Sequence, residues 1–255
     1  MLLAVDVGNS QTVIGVFEGR ELVRHWRIST DADRTPDELA LLFGGLMSYA
    51  DLSFSRNVHG VVASSVVPVV TEMLRVMTHK YFQFAPVVVG PGVRTGMAVA
   101  VDNPREVGAD RIVNALAAYE EYGGPGVVVD FGTATSFDVY SSSGQFLGGA
   151  IAPGVATSVH ALSARGAQLP RIELTAPSSP IGRNTVEAMR SGAVYGFAGA
   201  VDRIVEEITA ELDGPPVVLA TGGLAPDIVA ACHSITDHDP WLTLKGLRLV
   251  WERNT

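Results

Sequence analysis

The chain has 255 residues, 47% of them apolar, and a formal net charge of −9; this suffices for one large domain or two smaller ones with a sizeable core. The acidic balance argues against nucleic acid and a membrane surface as partners, since both need a basic patch. The single Cys232 excludes intramolecular disulfides and cysteine-based zinc sites, no apolar run reaches the ~18 residues of a membrane span, and Asp6 interrupts the apolar start, so the expected location is cytoplasmic.

Residues 2–7, 12–18 and 21–29 read as three strands joined by tight turns at Gly8-Asn9 and Gly19-Arg20. Residues 36–50 read as a helix, with Pro36 in the first turn, Asp37 and Glu38 behind it, and Leu39, Leu42, Phe43 and Leu46 on one face. A strand at 58–64, a helix at 68–80 and a strand at 86–89 follow. Another helix begins at Gly108 and runs through Ile112, Ala115, Leu116 and Tyr119. The second half repeats the order: strands at 126–131, 135–140 and 145–152, a long helix at 185–212, a strand at 216–220 and a helix from Pro226 to His233. The expected fold class is α/β, with two tandem domains, 1–115 and 116–255, each a mixed sheet flanked by helices.

One phrase is written twice. An apolar run leads into Asp6-Val7-Gly8-Asn9-Ser10-Gln11-Thr12-Val13, and another into Asp130-Phe131-Gly132-Thr133-Ala134-Thr135-Ser136. A buried strand that ends in Asp and turns on Gly puts a carboxylate beside a loop of backbone N–H groups. Such a loop suits phosphate, and the carboxylate suits the metal that travels with it. Alone, an Asp-x-Gly turn is more often a plain strand-to-turn junction. Two copies at one offset, followed by Ala220-Thr221-Gly222-Gly223-Leu224-Ala225 after a third strand, point to a nucleotide. P-loop and dinucleotide-binding glycine motifs are absent from the sequence.

Gly108-Ala109-Asp110-Arg111 opens a helix, where an Asp commonly serves as a cap or dipole partner. An acid beside a fixed cation also suits phosphoryl transfer to an alcohol, the acid taking the hydroxyl proton and the guanidinium an anionic substrate. Gly148-Gly149-Ala150-Ile151-Ala152-Pro153-Gly154 reads as a strand breaking into a turn, or as a bulge. Gly182-Arg183-Asn184-Thr185 precedes the long helix, with Asn184 or Thr185 as its cap. The stretch from Cys232 to Asp239 matches no metal-ligand spacing and reads as a polar surface loop.

The two Asp-x-Gly phrases resemble the phosphate motifs of the actin-like ATPase superfamily, and the Thr221-Gly222-Gly223 turn resembles its adenosine motif. Together with Asp102-Asn103-Pro104, the run Glu106 to Arg111, the Gly148–Gly154 run and Gly182-Arg183-Asn184-Thr185, they resemble the type III pantothenate kinases of bacteria, across almost the whole chain. The resemblance implies two ribonuclease H-like (actin-like) domains and ATP-dependent phosphorylation of pantothenate to 4′-phosphopantothenate, the first step of coenzyme A synthesis. It implies Asp110 as the catalytic proton acceptor. Val101, Gly108, Ala109, Asp110, Arg111 and Thr185 are the implied substrate contacts. Asp6, Val7, Gly8, Asn9, Ser10, Gln11, Thr12, Val13 and Thr133 are the implied ATP contacts. It further implies a monovalent cation, K+ or NH4+, at Asp130, magnesium reached from Asp6 through water, and a homodimer. Three positions depart from the family pattern: Ser10 stands for the usual Thr, Val101 for a Tyr on the pantothenate pocket, and the residue before Ala167 for a Thr. Rival readings are another actin-like small-molecule kinase, or a regulatory protein on the same scaffold. The first lacks the polar sugar-binding motifs it would need, and the intact Asp110 and phosphate turns weigh against the second.

Overall fold

The doubled phrase builds the same meander twice in the computed structural model, which describes residues 1–166 and 168–255; Ala167 lies outside the described residues. In chain order the elements are β1 (Leu2–Val7), β2 (Gln11–Glu18), β3 (Glu21–Ser29), α1 (Pro36–Ser48), α2 (Phe54–Asn57), β4 (Gly60–Ser65), α3 (Pro68–Phe82), β5 (Val87–Val88) and β6 (Ala98–Val99). A 3-10 turn (Pro104–Glu106) leads to α4 (Ala109–Tyr122), β7 (Gly126–Phe131), β8 (Ala134–Tyr140), β9 (Gln145–Pro153), α5 (Val155–Arg165), α6 (Thr185–Glu211), β10 (Val217–Thr221), α7 (Ala225–Val229), β11 (Asp237–His238) and α8 (Leu242–Asn254). The chain divides into two units. Unit 1 holds Met1–Gly96, Arg105–Ala117 and Thr243–Thr255; unit 2 holds Met97–Pro104 and Ala118–Leu242.

Unit 1 carries a five-stranded sheet in the order β3-β2-β1-β4-β5. The first three strands are antiparallel neighbours, and β4 returns parallel to β1. One sheet face packs on α1 and α3 through Leu3, Val5, Val7, Leu39, Phe43 and Leu74. Helix α1 starts where its sequence signals place it: Thr35 caps it and Glu38 closes a capping box, with Pro36 in the first turn. Alternation along β1 sends Leu2, Ala4 and Asp6 to the opposite face. There α8 lies close, with Leu244 against Gly15 and Trp251 against Gly60.

Unit 2 carries a six-stranded sheet in the order β11-β10-β7-β8-β9-β6. Strands β7, β8 and β9 repeat the antiparallel meander, and β10 pairs parallel to β7. Val127, Val129, Phe131, Phe137 and Ala220 face the core formed with α6 and α7. Asp130, Ser136, Asp138 and Tyr140 therefore face the other way, where Tyr140 meets Tyr119 of α4 edge-on at 6.2 Å.

Three helices were not legible in the pattern: α2, a single turn of four residues, α5 and α8. Helix α5 buries only Val155 and so shows little periodicity, whereas α8 buries Leu242, Leu244, Leu247 and Val250. The helix expected through His233 stops at Val229. The Asp202 carboxylate of α6 accepts the backbone N–H groups of His233 and Ser234 at 2.9–3.0 Å, and this turns the chain away. Among the described residues, no helix is long and apolar enough to cross a membrane.

Candidate active site

The first turn joins β1 to β2, with Val7 paired to Thr12 and Asp6 to Val13. The Gly8 N–H donates to the Gln11 carbonyl at 3.0 Å and closes it. Asn9, Ser10 and Gln11 are exposed at its tip. Val7 lies in the core, so only its backbone faces the turn. Thr12 is buried, its hydroxyl 2.9 Å from that of Thr30, which donates to the Gly8 carbonyl at 2.7 Å. A hydroxyl has one proton, so Thr12 is the donor in that pair. The Thr30 N–H also donates to the Ser10 carbonyl at 3.0 Å. Thr30 thus clamps the turn from beyond the end of β3. Ser64, opposite Asp6 on β4, donates to Asp6 Oδ1 at 2.6 Å. Sequence reasoning missed both hydroxyls; each is a lone residue whose only signal is its register against the turn.

The same unit carries the start of α4. Helix α8, which covers the Asp6 face of the sheet, holds α4: Gly246 lies on the Val113 backbone, and the Thr243 hydroxyl donates to Asn114 Oδ1 at 2.7 Å. Asp110 and Asp6 are thereby carried on one side of one sheet. Asp110 is half-buried, and its Oδ1 accepts the Arg111 N–H at 2.9 Å. Its Oδ2 takes no hydrogen bond among the described residues. One carboxylate oxygen serves the helix start, as a cap would, and the other is available to accept a proton.

In unit 2 the second turn joins β7 to β8, with Asp130 paired to Ser136 and the Gly132 N–H donating to the Ala134 carbonyl at 3.0 Å. Two other segments press on it. Gly222 has φ +94°, and a Cβ there would stand 2.5 Å from Asp130 Oδ1 and 2.6 Å from the Phe131 nitrogen. Only glycine combines that left-handed backbone with that approach. Gly154 lies equally close to the Thr133 carbonyl, where a Cβ would stand 2.2 Å away. The Thr157 hydroxyl donates to that same carbonyl at 2.8 Å. The end of the Gly148–Gly154 run thus braces the second turn, and its start holds a bulge opposite Val139 and Tyr140.

Val101 lies along β9: the Ala100 N–H donates to the Phe146 carbonyl at 2.8 Å, and a Val101 methyl is 3.6 Å from the Cβ position of Gly148. Thr185 is the exposed first residue of α6, and Asn184 is the cap, accepting the Glu187 N–H at 2.9 Å. Unit 1 therefore collects Asp6 to Val13 and Gly108 to Arg111; unit 2 collects Val101, Asp130, Thr133 and Thr185. Among the described residues, no three His, Cys, Asp or Glu side chains gather to hold a metal. Asp6 in unit 1 and Asp130 in unit 2 are each a carboxylate beside turn backbone. The Asp6 carboxylate fits a magnesium ion that completes its shell with phosphate and water.

A family model described as type III pantothenate kinase matches residues 2–207. A type III pantothenate kinase from Streptomyces griseus subsp. griseus is 55% identical over 261 residues, covering 100% of this chain and 98% of that protein. The chain belongs to the type III pantothenate kinase family. Among solved structures, a Campylobacter jejuni protein described as a Baf family transcriptional activator superposes with a TM-score of 0.60 at 17% identity, covering 99% of this chain and 98% of that one. The activator of 2-hydroxyisocaproyl-CoA dehydratase from Clostridium difficile, with bound ADPNP, gives 0.56 at 10% identity, covering 98% and 94%. At these identities the likeness is one of fold, and the fold of this pantothenate kinase family member is the expected actin-like one.

Proposed function

We propose that this chain transfers the terminal phosphoryl group of ATP to the terminal hydroxyl of pantothenate, giving 4′-phosphopantothenate and ADP. The observation that carries the reading is the match to type III pantothenate kinases over the whole chain. The geometry of the two turns and of Asp110 supports it. Backbone N–H groups of Gly8 to Val13, with Thr133, hold the phosphates. Asp6 would hold magnesium through water, and the bound ion would supply positive charge to the phosphate oxygens. Asp130 would hold a monovalent cation. Arg111 pairs with the pantothenate carboxylate, and Thr185 and the Gly108-Ala109 backbone hold the rest of the substrate, with Val101 on the pocket wall.

In the reaction the hydroxyl oxygen forms a bond to the γ-phosphorus as the bond to the β–γ bridging oxygen breaks. The hydroxyl proton passes to Asp110 Oδ2. In a loose transition state that proton leaves late, so a weakly basic carboxylate suffices and its main task is alignment. The protein works as a homodimer in the cytoplasm. The test is ADP release by the purified protein with ATP, magnesium and potassium, over pantothenate, hexoses and polyphosphate as acceptors. Activity with pantothenate alone is expected; a hexose turned over faster would replace this reading with that of a sugar kinase.

A further inference from the structure

We propose that Ser136 and Thr221 are cation-binding residues flanking Asp130, and that Asp138 is a positioning residue that orients the Ser136 hydroxyl. This rests on the reading of Asp130 as the carboxylate of a monovalent-cation site. Three neighbouring strands carry the row. Thr221 of β10 pairs with Asp130 of β7, and Asp130 pairs with Ser136 of β8. Residues paired in register share a sheet face, and adjacent strands lie about 4.8 Å apart. The residues on either side confirm the face: Ala220, Val129, Phe131 and Phe137 all point into the opposite core.

The chemistry of the row is specific. Thr221 is only 2% exposed, yet its hydroxyl forms no hydrogen bond among the described residues. That oxygen keeps a little accessible surface, so it is open to a ligand on the face it shares with Asp130. Ser136 donates its proton to Asp138 Oδ2 at 3.3 Å, and Asp138 is fully buried. With the proton directed to Asp138, the lone pairs of the Ser136 oxygen are left for a cation beside Asp130. The row then offers one carboxylate and two neutral oxygens. The Asp138 carboxylate stands behind Ser136, and a donor set of hard oxygens of this kind suits an alkali cation. On the Thr221 side, the close Gly222 backbone limits how Asp130 can turn.

The test uses the full-length protein and thallium(I), a potassium mimic read by thallium NMR, together with potassium-dependent thermal stabilisation at constant ionic strength. Ser136→Ala and Thr221→Val should each weaken cation binding roughly tenfold. Asp138→Asn should weaken it about 10- to 100-fold, as lost outer partners do at metal sites, while the KM for pantothenate stays within about twofold. Ser136→Thr, which keeps the hydroxyl, should restore binding. If Asp138→Asn fails to fold, the Ser136 and Thr221 variants still decide. If Asp130→Asn abolishes the cation response while Ser136→Ala and Thr221→Val bind like the parent, the proposal is overturned and the Asp130 reading stands. If the parent itself shows no cation response, both fall.

Discussion

Replacing Gly222 by Ala tests whether the turn after β10 is built around Asp130. The new methyl carbon would stand 2.5 Å from Asp130 Oδ1 and 2.6 Å from the Phe131 nitrogen, with the Phe131 carbonyl carbon at 2.7 Å. Two of those neighbours are backbone in a buried strand and cannot swing aside. The φ of +94° adds about 1–2 kcal/mol for any residue with a Cβ. Relieving the overlap adds about 1–3 kcal/mol. The expected loss is therefore about 2–5 kcal/mol of unfolding free energy, read from urea unfolding, together with weaker ATP binding by titration calorimetry. Gly45→Ala in α1 is the matched control. Its Cβ meets nothing within 4 Å, and the change should stabilise by about 0.5–1 kcal/mol. If Gly222→Ala unfolds at the parental urea midpoint and binds ATP like the parent, the packing of this turn on Asp130 is wrong.

Four further outcomes follow from the same geometry. Asp110→Asn should leave ATP affinity nearly unchanged and lower turnover roughly 10²–10⁴-fold; full activity in a variant with parental circular dichroism would remove Asp110 from the chemistry. Rates measured in potassium and in sodium at one ionic strength should differ, and equal rates at all substrate levels would count against the Asp130 cation. Val101→Tyr should lower the KM for pantothenate with less change in turnover, because it adds contact area and a hydroxyl worth about 1 kcal/mol each; unchanged binding by a folded variant would take Val101 off the pocket wall. Burial, with Asp202 nearby, pushes the Cys232 thiol from 9.0 up to about 12. Its alkylation at pH 8 should be roughly 10³-fold slower in the folded chain than in denaturant. Because folding raises this pKa, ionisation favours the unfolded chain as pH climbs past the ordinary value, so the thiol's contribution to stability falls there.

The parts of the fold written in local sequence were legible. The apolar runs ending in Asp6 and Asp130 fixed both hairpins and their register, and Thr35, Pro36 and Glu38 marked the start of α1. Asn184 and Thr185 could not be ranked as caps from sequence, because both residue types cap well; the backbone chose Asn184. What stayed hidden depends on contacts distant in the chain. Thr30 and Ser64 matter because the sheet brings them to Gly8 and Asp6, over separations of 22 and 58 residues. Helix α8 lies on strands more than 180 residues earlier (Leu244 on Gly15, Trp251 on Gly60). The Thr221-Asp130-Ser136 row exists only once β10, β7 and β8 are side by side.

The central claim is that the alcohol of pantothenate receives the γ-phosphoryl group with Asp110 as proton acceptor. The most direct measurement is phosphorus NMR of a reaction containing purified protein, ATP, magnesium, potassium and pantothenate, run beside the Asp110→Asn variant. The account predicts a phosphomonoester signal coupled to the protons of the terminal methylene of pantothenate, growing as ATP becomes ADP and nearly absent with the variant. ADP and free phosphate without that ester, or an ester formed equally well by the variant, would contradict it.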